Sequence, residues 1–295
     1  MARSRGVSLL ALILPITIVG FGFQALAPSK QAAAQGTSST VQTPASIGPA
    51  SRIAAPIPDY RYPDGQTFTY AVDWRLVNAG TTTVRLDTVN GERHVVANAD
   101  STGAVALLYH VHDRLETFFN PQTNCSLSLT KHTEEGFRRV NTSVHYDYSR
   151  NKAVLDEQNL RMKNQKHEEV EIPHCVTDTL SAVYYVATQP LQANSKFTFP
   201  SSDGGKPAEI AVTVEAREKV KTPAGSYDSV RISAEALSGP QQGKGKIWMW
   251  YSDDVRRIPV QMRARAFWGT MTFQLTQIGT ANTEKARLTS VPFPI

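Results

Sequence analysis

Apolar residues recur at every second position through most of this chain, and no other feature restricts its fold as much. Phe68, Tyr70, Val72, Trp74 and Leu76 alternate with Thr67, Thr69, Ala71, Asp73 and Arg75. Successive side chains of an extended strand point to opposite faces, so this spacing gives one oily face and one wet face. The period returns at Ile210, Val212, Val214 and Ala216, set against Glu209, Thr213, Glu215 and Arg217. Asn90-Gly91 separates two β-rich runs, and both turn residues tolerate the positive φ that a two-residue hairpin needs. The same reading predicts strands at 115–119, 126–131, 138–148, 153–156, 166–172, 227–234, 246–251, 258–266 and 270–278. Asp253-Asp254 and Trp268-Gly269 mark reversals late in the chain.

One helix interrupts the strands. Leu180, Val183, Tyr184 and Ala187 follow the i, i+3, i+4, i+7 spacing of a helix face. Thr177 or Asp178 offers an N-cap oxygen, and Gln189-Pro190 ends the helix. A shorter helical turn is predicted at 104–109. A long sheet with one apolar face must cover it, by curling on itself or by packing on the helix. The expected fold is mainly β: an antiparallel, strongly curved, open or nearly closed barrel with the main α-helix against its concave side.

The N-terminus speaks to location. Arg3 and Arg5 precede an apolar run over 7–27, and Ala32-Ala33-Ala34 follows. Charged, greasy and small, in that order, is the pattern of a secretory signal peptide, expected to be cleaved after 1–34. The competing reading keeps the run as a membrane anchor, since about 20 apolar residues can span a bilayer. Residues 35–59 are rich in Pro, Ser, Thr and Ala and read as a disordered linker. A single β-rich domain is expected over 60–279, with a flexible tail over 280–295. The expected location is the periplasm or cell envelope.

Charge argues against polyanionic partners. The whole chain has 31 basic and 26 acidic residues; without Arg3, Arg5 and Lys30 of the leader, 28 remain against 26, a net charge of +2. So even a balance gives no general attraction to nucleic acid. The only cysteines are Cys125 and Cys175. In an oxidising compartment they are expected to pair as a disulfide.

Four segments carry a family resemblance. They are 62–74 (YPDGQTFTYAVDW) with Ala79-Gly80, 172–186 (IPHCVTDTLSAVYYV), 221–227 (KTPAGSY) and 247–260 (IWMWYSDDVRRIPV). In this order they resemble family 3108 of the bacterial domains of unknown function, exported β-rich proteins. The resemblance covers about 60–275 and implies an envelope role without supplying an activity.

The residues offer several candidate sites. Trp248 and Trp250 lie on a strand that is apolar on both faces, and Arg263 and Arg265 share one face of the next strand. Together with Tyr184 they are the expected ligand-binding residues, suited to an apolar body with an anionic head. The strand could equally be buried on both sides, and the arginines could face water. His110 and His112 could begin a metal site, although zinc needs three or four ligands of defined geometry. Asp253 and Asp254 could serve as paired carboxylates, or cap their own turn beside Arg256 and Arg257. Ser181 lacks the Gly-x-Ser-x-Gly elbow of a serine hydrolase. No catalytic residue, metal or cofactor is assigned. The leading expectation is non-catalytic binding of an apolar or amphipathic ligand, such as a lipid or envelope component, or of an envelope partner at the membrane surface. The alternative is a periplasmic hydrolase that uses Asp253/Asp254 or a histidine-based metal site.

Overall fold

The computed structural model describes residues 52–75, 77–266 and 269–280. Eight strands and one short helix come first: β1 (Gln66–Trp74), β2 (Val77–Val89), β3 (Glu92–Ser101), α1 (Gly103–Leu108), β4 (Val111–Phe119), β5 (Ser126–Glu135), β6 (Arg138–Asp147), β7 (Lys152–Asn159) and β8 (Asn164–Glu171). The main helix α2 (Thr179–Ala187) follows. Then come β9 (Lys196–Ser201), β10 (Ala208–Thr222), β11 (Gly225–Ala236), β12 (Gly245–Ser252), β13 (Pro259–Ala266) and β14 (Gly269–Thr280).

All fourteen strands form one sheet, in the order β8-β7-β6-β5-β4-β3-β2-β1-β14-β13-β12-β11-β10-β9. Every ladder is antiparallel. Two meanders therefore join at their centre through β1 and β14, and β8 and β9 remain as free edges. The sheet curls but does not close, which is the open form of the expected barrel. Apolar side chains from alternate positions line its concave side, among them Phe68, Leu86, Val95, Leu115 and Leu275.

The helix α2 occupies the hollow. Leu180 and Tyr184 pack on Val95, Ala97, Leu115 and Phe119 of β3 and β4. Tyr185, Val186 and Ala187 pack on Phe199, Val212, Val214, Ile232 and Met249 of the other half. Its start is fixed by a capping box: Asp178 accepts from the amides of Leu180 and Ser181, and Ser181 reaches back to the Asp178 amide. The Ala187 carbonyl at its C-terminus and the Gln189 carbonyl just beyond it accept from the Arg257 guanidinium.

The gap between β8 and β9 is sealed without a strand pair. Thr177 makes an isolated parallel bridge to Ser201. Cys125, just before β5, is bonded to Cys175, so the expected disulfide ties the connection between β8 and α2 to β5. Lys131 and Asp203 form an ion pair at 2.7 Å, both nearly buried. The Tyr146 hydroxyl donates to the Ser202 carbonyl at 2.6 Å.

Three differences from expectation stand out, and the first two have plain physical causes. Strand β9 (KFTFPS) was not predicted: it is short, contains Pro200, and is an edge that pairs only with β10. The end of the expected linker is docked: Ile53 and Ile57 pack on the α2 core, and the Ile57 amide donates to Thr188 O at 3.0 Å. Two isoleucines supply the apolar area that the Pro- and Ser-rich part lacks. Strands β4 and β8 begin earlier than predicted, at Val111 and Asn164. The signal sequence, Leu76, Trp268 and the tail beyond 280 lie outside the described residues. Among the described residues, no helix is long and apolar enough to cross a membrane.

Candidate ligand groove

Strand β12 has two faces with separate tasks. Met249 and Tyr251 point toward α2, where the Tyr251 hydroxyl donates to Val183 O at 2.8 Å. By alternation Trp248 and Trp250 point the other way, where Trp250 is buried in an apolar cluster with Val220, Ile258 and Val260 and Trp248 packs at its edge. There a groove of about 420 Å³ is lined by Glu215, Arg231, Trp248, Trp250, Arg263, Arg265 and Thr270. Register builds it. Trp248 lies opposite Arg263 on β13 and Trp250 opposite Arg231 on β11, while Arg265 lies opposite Thr270 on β14.

The aromatic and cationic groups interleave diagonally. The Arg265 guanidinium sits over the Trp248 ring, 5.3 Å from its centroid, and Arg263 sits over Trp250 at 5.9 Å. Lys246 approaches Trp248 at 5.5 Å. Each arginine thus stacks on the tryptophan diagonal to it rather than the one directly opposite, which long side chains reach easily. Trp250 is buried, and its indole N–H donates to Glu218 at 2.6 Å. Trp248 is half-buried, and both arginines are exposed.

Charge is unevenly compensated in this groove. Arg231 pairs with Glu215 at 3.0 Å and Glu218 at 2.9 Å, and Lys246 reaches Glu215 at 3.7 Å. Burial pushes the Glu215 carboxyl up, but the Ser233 hydroxyl, Arg231 and Lys246 outweigh it and hold the group below the usual carboxylate range. Arg263 and Arg265 have no carboxylate partner among the described residues. The surface therefore offers two stacked, uncompensated guanidiniums beside indole faces, a geometry suited to an anionic group attached to an apolar body.

The structure places Trp248, Trp250, Arg263 and Arg265 in one groove and Tyr184 elsewhere. Tyr184 is fully buried on α2, 6.2 Å from the Phe119 ring, on the opposite side of the sheet. Glu215, Arg231 and Thr270 belong to the groove but carried no sequence signal. The candidate carboxylates and His112 are held by neighbouring groups. Asp254 accepts from the amides of Arg256 and Arg257 at 2.8 and 3.0 Å, a turn cap, and Asp253 pairs with Arg217 at 2.8 Å. His112 is held by Asp100 at 2.6 Å, a hydrogen bond that raises its pKa. The His110 carbonyl accepts from Gly136. Among the described residues no three His, Cys, Asp or Glu side chains converge as metal ligands. A second hollow, of about 660 Å³, crosses β4 to β8 and is lined by polar groups such as Arg114, His132, Asn141 and His167.

Comparison with known proteins supports the architecture. The chain is similar to the crystal structure of a β-barrel-like protein of domain of unknown function DUF1849 from Brucella abortus. The TM-score is 0.54 at 9% identity, over 78% of this chain and 99% of that one. Weaker likenesses are to a candidate exported protein with YmcC-like fold from Bacteroides fragilis and a candidate lipoprotein from Parabacteroides distasonis. These have TM-scores of 0.36 and 0.33 and identities of 12% and 10%; they cover 77% and 75% of this chain and 100% and 98% of theirs. No curated protein matches. A family model described as protein of unknown function DUF3108 matches residues 69–276. That span runs from β1 to β14, and the chain belongs to this family.

Proposed function

We propose that this is an exported envelope protein that binds rather than catalyses, and that its outer groove holds the anionic end of an amphipathic envelope component. The observation that carries the reading is the stacking of Arg263 and Arg265 on Trp250 and Trp248 with no carboxylate to neutralise them. Exposed guanidiniums with only aromatic partners keep their hydrogen-bond forks free for a carboxylate or phosphate. The apolar body of such a ligand would lie along the half-buried Trp248 indole. The N-terminal signal pattern supports an envelope location.

Organic extraction of the purified protein followed by lipid mass spectrometry tests this. An anionic amphiphile should be recovered from the native chain and depleted roughly tenfold from an Arg263→Ala/Arg265→Ala variant. Recovery of the same species in equal amount from both would refute the assignment. So would recovery of no amphiphile, combined with no change in tryptophan fluorescence when anionic amphiphiles are added.

A further inference from the structure

One rim of the barrel differs from the other in a way that the groove does not use. In the meander β1–β8, the connections β3–β4, β5–β6 and β7–β8 all emerge at the same end. Each lifts a large apolar side chain into solvent. Leu107 and Leu108 of α1 are 90% and 88% exposed, Phe137 82% and Met162 72%. The helix α1 buries none of its residues. These tips form one continuous structure. Gly136 N–H donates to His110 O at 2.8 Å, joining the second tip to the first. Arg161 donates to Phe137 O at 3.3 Å and stacks on the Phe137 ring at 4.8 Å, joining the third to the second. At the other end, around the turns Asn90-Gly91, 120–125 and 148–151, the one large apolar side chain exposed among the described residues is Val89, at 37%.

Charge at the apolar rim has one sign. Residues 102–110, 136–137 and 160–163 contain Arg161 and Lys163 and neither Asp nor Glu. Neither cation has a carboxylate partner among the described residues. Monomeric proteins rarely display this much apolar surface without a use for it. Apolar tips interleaved with basic ones complement the boundary between acyl chains and anionic headgroups, where the tips enter and the cations remain with the phosphates.

We propose that this rim docks on the surface of a lipid bilayer carrying anionic headgroups. Leu107, Leu108, Phe137 and Met162 enter the headgroup–acyl boundary, and Arg161 and Lys163 pair with lipid phosphates. At about 1.5 Å per residue α1 is a stub roughly 9 Å long, matched to the shallow depth of interfacial insertion. The contact is independent of the outer groove on β12 and β13.

A local probe tests it, because the apolar run at 7–27 would by itself hold a full chain to vesicles. The full chain carries an environment-sensitive fluorophore at Leu108→Cys or, as the opposite-rim control, at Ser149→Cys; the native cysteines are bonded to each other. Vesicles of phosphatidylethanolamine with phosphatidylglycerol should shift the probe at 108 to an apolar environment and leave the probe at 149 in water. Phosphatidylcholine vesicles should produce a much weaker response at 108. In the 108-labelled chain held on vesicles at saturating lipid, Arg161→Glu with Lys163→Glu should cut the probe's shift roughly severalfold, and so should Phe137→Ser with Met162→Ser. All these side chains are exposed, and circular dichroism checks that the fold is intact. The inference is overturned if the probe at 108 stays in water while vesicles hold the chain, if both rims respond alike, or if neither pair of substitutions weakens the response. A probe that responds only to other envelope proteins also overturns it. Arg263→Ala/Arg265→Ala should leave the response unchanged, so failure here and failure of the groove reading are separable.

Discussion

Replacing Asp178 by alanine removes the acceptor for four hydrogen bonds where α2 meets the seam. Its Oδ1 accepts from the Leu180 amide at 2.8 Å and the Ser181 amide at 3.0 Å. Its Oδ2 accepts from the Thr117 and Ser126 hydroxyls, each at 2.5 Å. Loss of an N-cap costs about 1 kcal/mol, and two buried hydroxyls that lose a charged acceptor add about 1 kcal/mol each. The expected destabilisation is about 3 kcal/mol, which lowers the urea midpoint by about 1 M at a denaturant slope near 3 kcal/mol/M. Asp178→Asn keeps Oδ1 for the cap and turns an amide toward the hydroxyl oxygens, so its cost should stay near 1 kcal/mol. A pH series separates charge from shape. Burial first, and then repulsion from Asp203, push the Asp178 carboxyl above its ordinary range, against the hydrogen bonds from Ser126 and Thr117. For a carboxyl raised in the folded state, its stabilising contribution is full below the unfolded pKa of about 3.9 and is lost as pH rises through the folded value. Asparagine does not titrate, so the deficit of the Asn variant should shrink between pH 4 and pH 7. Urea titrations followed by far-UV circular dichroism at both pH values give the answer. An alanine variant within about 0.5 kcal/mol of the native protein would refute the reasoning, as would an asparagine deficit that grows with pH.

Two further perturbations probe the seam and the centre of the sheet. Replacing both Cys125 and Cys175 by serine opens a crosslink between residues 50 apart and should cost about 4 kcal/mol on the chain-entropy estimate, measured as the difference in urea unfolding free energy. At Gly80 a Cβ would run into the backbone carbonyl oxygen of Asp100 on the neighbouring strand, which cannot turn aside. Gly80→Ala should therefore cost about 1–3 kcal/mol in calorimetric stability, whereas Gly205→Ala, which meets nothing within 4 Å, should be close to neutral.

Much of this architecture was legible because an alternating strand declares its faces. Phe68, Tyr70 and Val72 announced the concave side, Asn90-Gly91 a hairpin, and Asp178 with the Leu180–Ala187 spacing the helix. The groove was legible in part for the same reason, since Trp248 with Trp250, and Arg263 with Arg265, are pairs two residues apart. Tyr184 was misplaced because β12 is apolar on both faces, and nothing in its pattern says which face meets α2. Glu215 and Arg231 could not be read because their place depends on register across three strands. A register shift between Val214 and Ala216 also turns Glu218 to the face of Arg231 and Trp250, which plain alternation would not give. The apolar rim escaped notice because Phe137 and Met162 are single residues inside turns, and only the meander puts those turns side by side.

The central ladder joins the first strand to the last: Thr276 Oγ1 donates to Thr69 O across 207 residues of sequence. Every strand from β2 to β7 has its two neighbours next to it in the chain and can zip locally as it is made. β1 cannot. One of its edges stays bare until β14 has been synthesised, and an unpaired edge is a template for association with other chains. Formation of that long-range ladder carries the largest loop-closure entropy in the sheet, which places it late in folding. The two meanders would then meet as preformed halves, and a chain that stopped before β14 would be left with an adhesive border along its middle.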